Sequence, residues 1–217
     1  MNAGSHVRGF YGILDQDSSE LAHVLLAGGA RVLQLRLKPD TPLSTRDLLA
    51  AAQRARSVCR AAGVMFVVND RLDVALAVRA DGLHLGQTDL PLVEARRVAR
   101  GAGHPLIIGV STHDAGQVRA ALSDGADYLG YGPVFATPTK RDPDPVQGLE
   151  ALATAVALAG PVPVVAIGGI TPDLADAVAL TGAAAACAIA SVNRAADPTA
   201  AAVRITRAFA GAAPAAP

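Results

Sequence analysis

Aromatic side chains are scarce in this 217-residue chain, at 3% of the total, and cysteine occurs only at Cys59 and Cys187. The two cysteines lie far apart, with neither Cys-x-x-Cys spacing nor a neighbouring histidine, so neither a zinc site nor a disulfide framework is read from them. Each is expected to be a small buried hydrophobe in a reducing compartment. An excess charge of either sign is lacking too. Nineteen basic residues meet nineteen acidic ones, which leaves no electrostatic footprint for nucleic acid or an anionic membrane surface. No apolar run approaches the roughly 18 residues that a bilayer span needs. Met1–Gly9 carries no apolar core of a secretory signal. The expectation is a cytoplasmic protein of one domain, spanning residues 10–210, with residues 1–9 and 211–217 as fraying termini.

Aliphatic residues are abundant instead. Hydrophobic residues make up 51% of the chain, mostly Ala, Val and Leu, as suits buried parallel strands under small-faced helices. Strand-like runs fall at Tyr11–Leu14, Val32–Leu37, Met65–Val68, Gly82–Leu85, Ile107–Val110, Tyr128–Tyr131, Val164–Ile167 and Ala185–Ala190. Between them, segments such as Ser44–Ala61, Pro91–Ala99, Ala115–Ser123, Leu149–Leu158, Pro172–Leu180 and Thr199–Phe209 repeat their apolar residues at three- and four-residue spacings. Gly28, Gly63, Gly125, Gly160 and Gly182 stand just past predicted helix ends. Eight strands each followed by a helix predict a single-domain α/β fold, the (β/α)8 TIM barrel, ahead of an open doubly wound sheet.

The second strand is the most informative. In Leu33-Gln34-Leu35-Arg36-Leu37-Lys38 the leucines share one face, and Gln34, Arg36 and Lys38 share the other. The outer face of a barrel strand lies under helices and must be apolar, which turns the polar trio inward and toward the carboxyl-terminal mouth. An edge strand with one solvated face is the plainer alternative. Cations placed there need counter-charges or an anionic ligand.

Polar residues gather at the other predicted strand ends, where active sites of this fold sit. The third strand ends in Asn69-Asp70, and the fourth runs through His84-Leu85-Gly86-Gln87-Thr88-Asp89. Either aspartate could merely cap a helix. Beyond adjacent strands, however, Asp70 and Asp89 can converge, and two carboxylates suit Mg²⁺, which completes its shell with water and phosphate oxygens. Ser111, ending the fifth strand, either caps the next helix or donates to a phosphate. Residues Pro133–Gln147 form an unusually long connection carrying Thr137-Pro138-Thr139-Lys140-Arg141, read as a phosphate grip or as a solvated basic turn. Gly168-Gly169 and the backbone at Ile189-Ala190 close the ring at strands seven and eight, where phosphate sites of this fold occur.

The pattern reads as two anion subsites at one mouth. Gln34, Arg36, Lys38, Asn69 and Ser111, with Mg²⁺ on Asp70 and Asp89, suit a diphosphate leaving group. Thr137, Thr139, Lys140, Gly169, Ile189 and Ala190 suit a monophosphate-bearing acceptor. With no nucleophile–base pair in the pattern, positioning and charge stabilisation should carry the reaction.

Six signatures in order, Gln34-Leu-Arg-Leu-Lys38, Asn69-Asp70-Arg71, His84-Leu-Gly-Gln-Thr-Asp89, Gly109-Val-Ser-Thr-His113, Gly132-Pro-Val-Phe-Ala-Thr-Pro-Thr-Lys140 and Ala166-Ile-Gly-Gly-Ile170, resemble the thiamine phosphate synthase family from about Phe10 to Ser191. The resemblance implies two small-molecule substrates, 4-amino-2-methyl-5-(diphosphooxymethyl)pyrimidine and a thiazole phosphate, with thiamine phosphate and diphosphate as products. It implies a dissociative, Mg²⁺-assisted transfer and a homodimer as one allowed assembly. It assigns Gln34, Arg36, Lys38, Asn69 and Ser111 to the pyrimidine diphosphate and Asp70 and Asp89 to the metal. Thr137, Thr139, Lys140, Gly169, Ile189 and Ala190 go to the thiazole phosphate. Arg36, Lys38, Ser111 and Lys140 are the residues expected to bear on the chemistry.

Two positions depart from the family. An acidic residue is common where this chain has Leu37, and strand parity predicts a packing change there. Serine is common where this chain has Ala190, so a side-chain hydrogen bond to phosphate would be missing. Three alternatives compete with the synthase reading. A thiazole tautomerase would typically have histidine at the position of Pro133 and no Thr-Pro-Thr-Lys loop. A non-catalytic phosphate-binding barrel would call for a broken metal pair. A sugar-phosphate isomerase would need an acid–base pair, for which only His84 and His113 are placed.

Overall fold

The computed structural model describes residues 6–38, 43–137 and 145–211. Eight parallel strands close on themselves: β1 (Gly9–Leu14), β2 (Val32–Leu35), β3 (Met65–Asn69), β4 (Gly82–Leu85), β5 (Ile107–Thr112), β6 (Tyr128–Tyr131), β7 (Val164–Ile167) and β8 (Ala185–Cys187), with β1 paired to both β2 and β8. Around them run α1 (Ser19–Ala27), α2 (Thr45–Ala62), α3 (Leu72–Ala77), α4 (Leu92–Gly101), α5 (Ala115–Ser123), α6 (Gly148–Ala159), α7 (Ala175–Ala179, after a 3₁₀ turn at Pro172–Leu174), α8 (Ala190–Asn193) and α9 (Pro198–Ala208). The predicted single-domain TIM barrel is the fold.

Side-chain alternation splits the apolar residues into two cores. Phe10, Leu14, Leu33, Leu35, Phe66, Val68, Leu83 and Leu85 pack outward under the helices. Tyr11, Ile13, Val32, Met65, Val67, Tyr128, Val165, Ala185 and Cys187 fill the lumen. Leu37 packs with the outer core, as its parity predicts.

Local chemistry sets the helix ends. At the start of α2 the Ser44 hydroxyl accepts from Asp47 N at 3.1 Å and donates to Asp47 Oδ2 at 2.6 Å, which satisfies an otherwise orphaned amide. The helix stops at Gly63 in the left-handed region, φ 66°. At the amino-terminal end of the barrel one device occurs twice. Asp81, just before β4, accepts from Phe66 N of β3 (2.8 Å) and pairs with both terminal nitrogens of Arg56 from α2 (3.1 Å each). Asp127, just before β6, accepts from Ile108 N of β5 (2.7 Å) and pairs with Arg96 from α4 (2.8 Å).

Three expectations are adjusted. The second strand ends at Leu35, so Arg36 and Lys38 lie beyond its last ladder residue, although Arg36 N still donates to Leu14 O at 2.9 Å. The eighth ends at Cys187, and Ala190 opens the short α8. Fraying does not reach Val7–Gly9: Val7 is fully buried at the lumen floor, and Gly9 belongs to β1. Both cysteines are buried and unpaired. Among the described residues no helix is long and apolar enough to cross a membrane.

Candidate active site at the barrel mouth

A cavity of about 650 Å³ opens at the carboxyl-terminal end of the strands. It is lined by Gln34 on β2 and by Arg36 and Lys38 just after it, by Asn69, Asp70 and Asp89, and by Ser111. Thr137, Gly169, Ile189 and Ala190 line it from the β6–β8 side. Every sequence-predicted site residue that is described thus faces one space. Thr139 and Lys140 lie outside the described residues, within the stretch 138–144 of the long connection expected to grip phosphate.

The capping alternatives do not hold. The side chain that caps α5 is Asp114, which accepts from Gln117 N at 2.8 Å, and this leaves Ser111 to the strand end. The cap positions of α3 and α4 are Arg71 and Pro91, with no side-chain cap at either, so neither Asp70 nor Asp89 serves as one. Asp70 instead adopts a left-handed backbone, φ 61°, and donates its N–H to His84 O at 2.8 Å. A non-glycine residue at positive φ is uncommon, and such strain concentrates at functional positions. Asp89 accepts from Gly86 N through Oδ2 at 2.7 Å.

Charge converges here. Lys38 Nζ stands 3.3 Å from Asp70 Oδ2. Burial pushes the Asp70 carboxyl above its ordinary range, the neighbouring Asp89 carboxyl adds to that, and Lys38 opposes it. Arg71, next in sequence, turns away to a bidentate contact with Asp73 and is no part of the site. Among the described residues Arg36 forms no ion pair, yet its charge is felt by His84 and Cys187 inside the barrel. An unneutralised guanidinium over a buried floor is an anion site in waiting. Two adjacent carboxylates with one ammonium also leave negative charge that a divalent cation would offset, and hard oxygen donors of this kind suit Mg²⁺.

Beneath the mouth lies a polar string, of which the sequence places Gln34, His84 and Ser111 at inward or mouth positions but leaves Tyr11 and Tyr128 unread. Gln34 Nε2 donates to Tyr11 Oη (2.8 Å), and Tyr11 Oη meets Tyr128 Oη (2.9 Å). Tyr128 Oη lies 3.0 Å from His84 Nδ1, and His84 Nε2 lies 2.9 Å from Ser111 Oγ. Burial, aided by Arg36, pushes the His84 imidazolium down to about 4, which keeps the ring neutral. Gly109 and Gly130 make the room: a Cβ on Gly109 would meet the Tyr128 ring at 2.0 Å, and one on Gly130 would meet His84 Cε1 at 3.2 Å. Tyr11 and Tyr128 hold inward positions by the same parity that places Gln34, which is the signal that could have found them. At β7 the Gly168-Gly169 turn, φ 98° and 63°, admits the chain after β6, whose Val134 and Phe135 amides donate to Ile167 O and Gly168 O (2.9 and 3.0 Å). Ser191 Oγ donates to Ile170 O at 2.7 Å and so does not stand in for a serine at position 190.

Comparison with known proteins supplies the family. The family model described as thiamine monophosphate synthase matches residues 10–192. A thiamine-phosphate synthase from Anaeromyxobacter dehalogenans is 46% identical over 212 residues, covering 96% of this chain and 92% of that one. One from Moorella thermoacetica is 47% identical over 186 residues, covering 86% of this chain and 85% of its own. The solved thiamine phosphate pyrophosphorylase from Pyrococcus furiosus superposes with a TM-score of 0.83 at 36% identity, covering 94% of this chain and 96% of that one. On sequence and architecture together, the chain belongs to the thiamine monophosphate synthase family.

Proposed function

We propose that this barrel joins the (4-amino-2-methylpyrimidin-5-yl)methyl group of a pyrimidine diphosphate to the ring nitrogen of a thiazole phosphate, giving thiamine phosphate and diphosphate. Gln34, Arg36, Lys38, Asn69 and Ser111 hold the pyrimidine diphosphate. Thr137, Gly169 and the Ile189–Ala190 backbone hold the thiazole phosphate, together with Thr139 and Lys140 of the connection after β6. Asp70 and Asp89 hold Mg²⁺, whose positive charge, when bound, offsets the charge of the diphosphate.

The bond from the pyrimidine methylene carbon to the diphosphate oxygen breaks, its electron pair leaves with diphosphate, and the thiazole nitrogen lone pair forms the new C–N bond. Arg36 and Lys38 donate to oxygens on which negative charge grows, so their interaction strengthens along the reaction. Ile13, Val165, Ile167 and Cys187 form an apolar floor to the same cavity. That floor keeps water from the electron-poor methylene carbon until the thiazole nitrogen reaches it. Holding both substrates in one space makes the second step effectively unimolecular.

The observation that carries this reading is that Lys38, Asp70 and Asp89 face the same cavity as Gly169 and Ala190, so one opening serves two anions. The test is an assay of thiamine phosphate from the two purified substrates, with Mg²⁺ and with excess chelator. Product is expected with Mg²⁺ alone. No product in either arm overturns the function, and an undiminished rate in chelator overturns the metal's role.

A further inference from the structure

Five side chains from five strands or strand ends, Gln34, Tyr11, Tyr128, His84 and Ser111, are joined end to end through the lumen. Tyr11 and Tyr128 are 2% and 0% exposed, and among the described residues their hydroxyls have each other, Gln34 and His84 as partners. Each phenol has one proton to give, and that count fixes a direction. With Gln34 Nε2 donating to Tyr11, the Tyr11 proton must go to Tyr128. The Tyr128 proton then goes to His84 Nδ1, which is the remaining acceptor. A neutral imidazole that accepts at Nδ1 carries its hydrogen on Nε2 and donates it to Ser111 Oγ. The Ser111 hydrogen is therefore spare, at an oxygen that lines the cavity. Burial raises both phenols well above their ordinary range, so they orient protons and do not shed them.

We propose that Gln34, Tyr11, Tyr128 and His84 form a one-way chain of hydrogen bonds that turns the Ser111 hydroxyl proton toward the cavity, which makes Tyr11, Tyr128 and His84 positioning residues for a phosphoryl oxygen bound at Ser111. This deepens the reading of Ser111 as a diphosphate contact and rests on it. A deprotonated phosphoryl oxygen offers only lone pairs, so a serine aimed at it must donate. If the Gln34 amide were turned round, every bond would reverse, and Ser111 would spend its proton on His84 and present only lone pairs to the anion. Gly109 makes the room that the chain needs, since a methyl group there would occupy the place of the Tyr128 ring.

The full chain, labelled with ¹⁵N-histidine, tests the direction without substrate. Two-bond ¹H–¹⁵N spectra, with the His84 signals assigned by loss in His84→Gln, should show a neutral ring protonated on Nε2. A ring protonated on Nδ1, or on both nitrogens, overturns the proposal. Binding of inorganic diphosphate in the presence of Mg²⁺ supplies the second readout. Ser111→Ala and Tyr128→Phe should each weaken it about tenfold, as expected for a lost hydrogen bond to a charged group. The double variant should be no weaker than Ser111→Ala alone, because Tyr128 acts through Ser111. Additive losses would mean that Tyr128 supports the site only structurally, and would overturn the proposal. A wild-type chain that shows the Nε2 tautomer and the non-additive losses but makes no thiamine phosphate would uphold the chain of hydrogen bonds while removing the assigned reaction.

Discussion

Lys38 Nζ approaches Asp70 Oδ2 to 3.3 Å, and Asp70 reaches that position from a left-handed backbone with φ 61°. The residue is strained in its main chain and, by burial and by Asp89, disfavoured as an anion. Both costs make sense only if the carboxylate is needed. Glycine adopts this φ without penalty. Asp70→Gly should therefore raise the melting temperature by about 2–4 °C, equivalent to roughly 1 kcal/mol for a domain of this size. The same change should lower Mg²⁺-dependent thiamine phosphate formation by at least about 100-fold. Thermal melts beside turnover assays decide it, and a lowered melting temperature at Asp70→Gly would show that the carboxylate is structural.

The glycines under the polar string can be ranked. A Cβ on Gly109 would sit 2.0 Å from the Tyr128 ring, whereas one on Gly130 would sit 3.2 Å from His84 Cε1. The first overlap can be relieved only by moving a buried ring or its strand, the second by a few tenths of an ångström. Gly109→Ala should cost about 1–3 kcal/mol or more of stability, as overpacked cores do. Gly130→Ala should cost under about 1 kcal/mol but still slow turnover by displacing His84 from Ser111. Urea titrations with kinetics check both, and equal costs at the two positions would contradict the ranking.

Much of this was legible from parity. In a closed barrel the face under the helices must be apolar, so Leu33 and Leu35 point out and Gln34 points in, and the same rule set Leu37 outside. The convergence of Asp70 and Asp89 followed from their places after adjacent strands. The polar string was harder to read: parity turns Tyr11 and Tyr128 inward, but a tyrosine between apolar neighbours reads as core. Gly109 and Gly130, small residues at inward positions, also hint that something large crosses the lumen. Strand ends were misjudged where hydrophobicity outlasts pairing, as at Ile189-Ala190 after β8.

Burial of Cys59 pushes its thiol from 9.0 up to about 12. A thiol near 9 in the unfolded chain loses its proton there first, so between about pH 9 and 12 the folded state holds more protons. Stability from this group is full below the unfolded value and is lost as pH rises through the folded one. The urea-derived stability of the protein should therefore fall above about pH 9. Cys59→Ala should make that slope shallower by up to ~1.4 kcal/mol per pH unit. An unchanged slope in the variant would remove Cys59 as the cause. Ellman's reagent at pH 8 should find neither cysteine reactive until denaturant is added, since both are buried.

The two ends of the barrel should separate folding from chemistry. Asp81 and Asp127 tie helices to strands at the amino-terminal end, each by an arginine and by a strand amide of the preceding β-strand. Removing either carboxylate leaves a half-buried guanidinium and a strand amide without their acceptor, at a cost of about 1–3 kcal/mol. Neither aspartate lines the cavity. Asp81→Ala and Asp127→Ala should therefore lower the urea midpoint while the folded fraction keeps its wild-type KM and a kcat within about twofold. Mouth variants such as Asp89→Ala should show the opposite, with turnover lost from a chain that still unfolds cooperatively. If Asp127→Ala lost activity in proportion greater than its unfolded fraction, strain would be passing along β6 from Asp127 to Tyr128 and on to His84, and the two ends would not be independent.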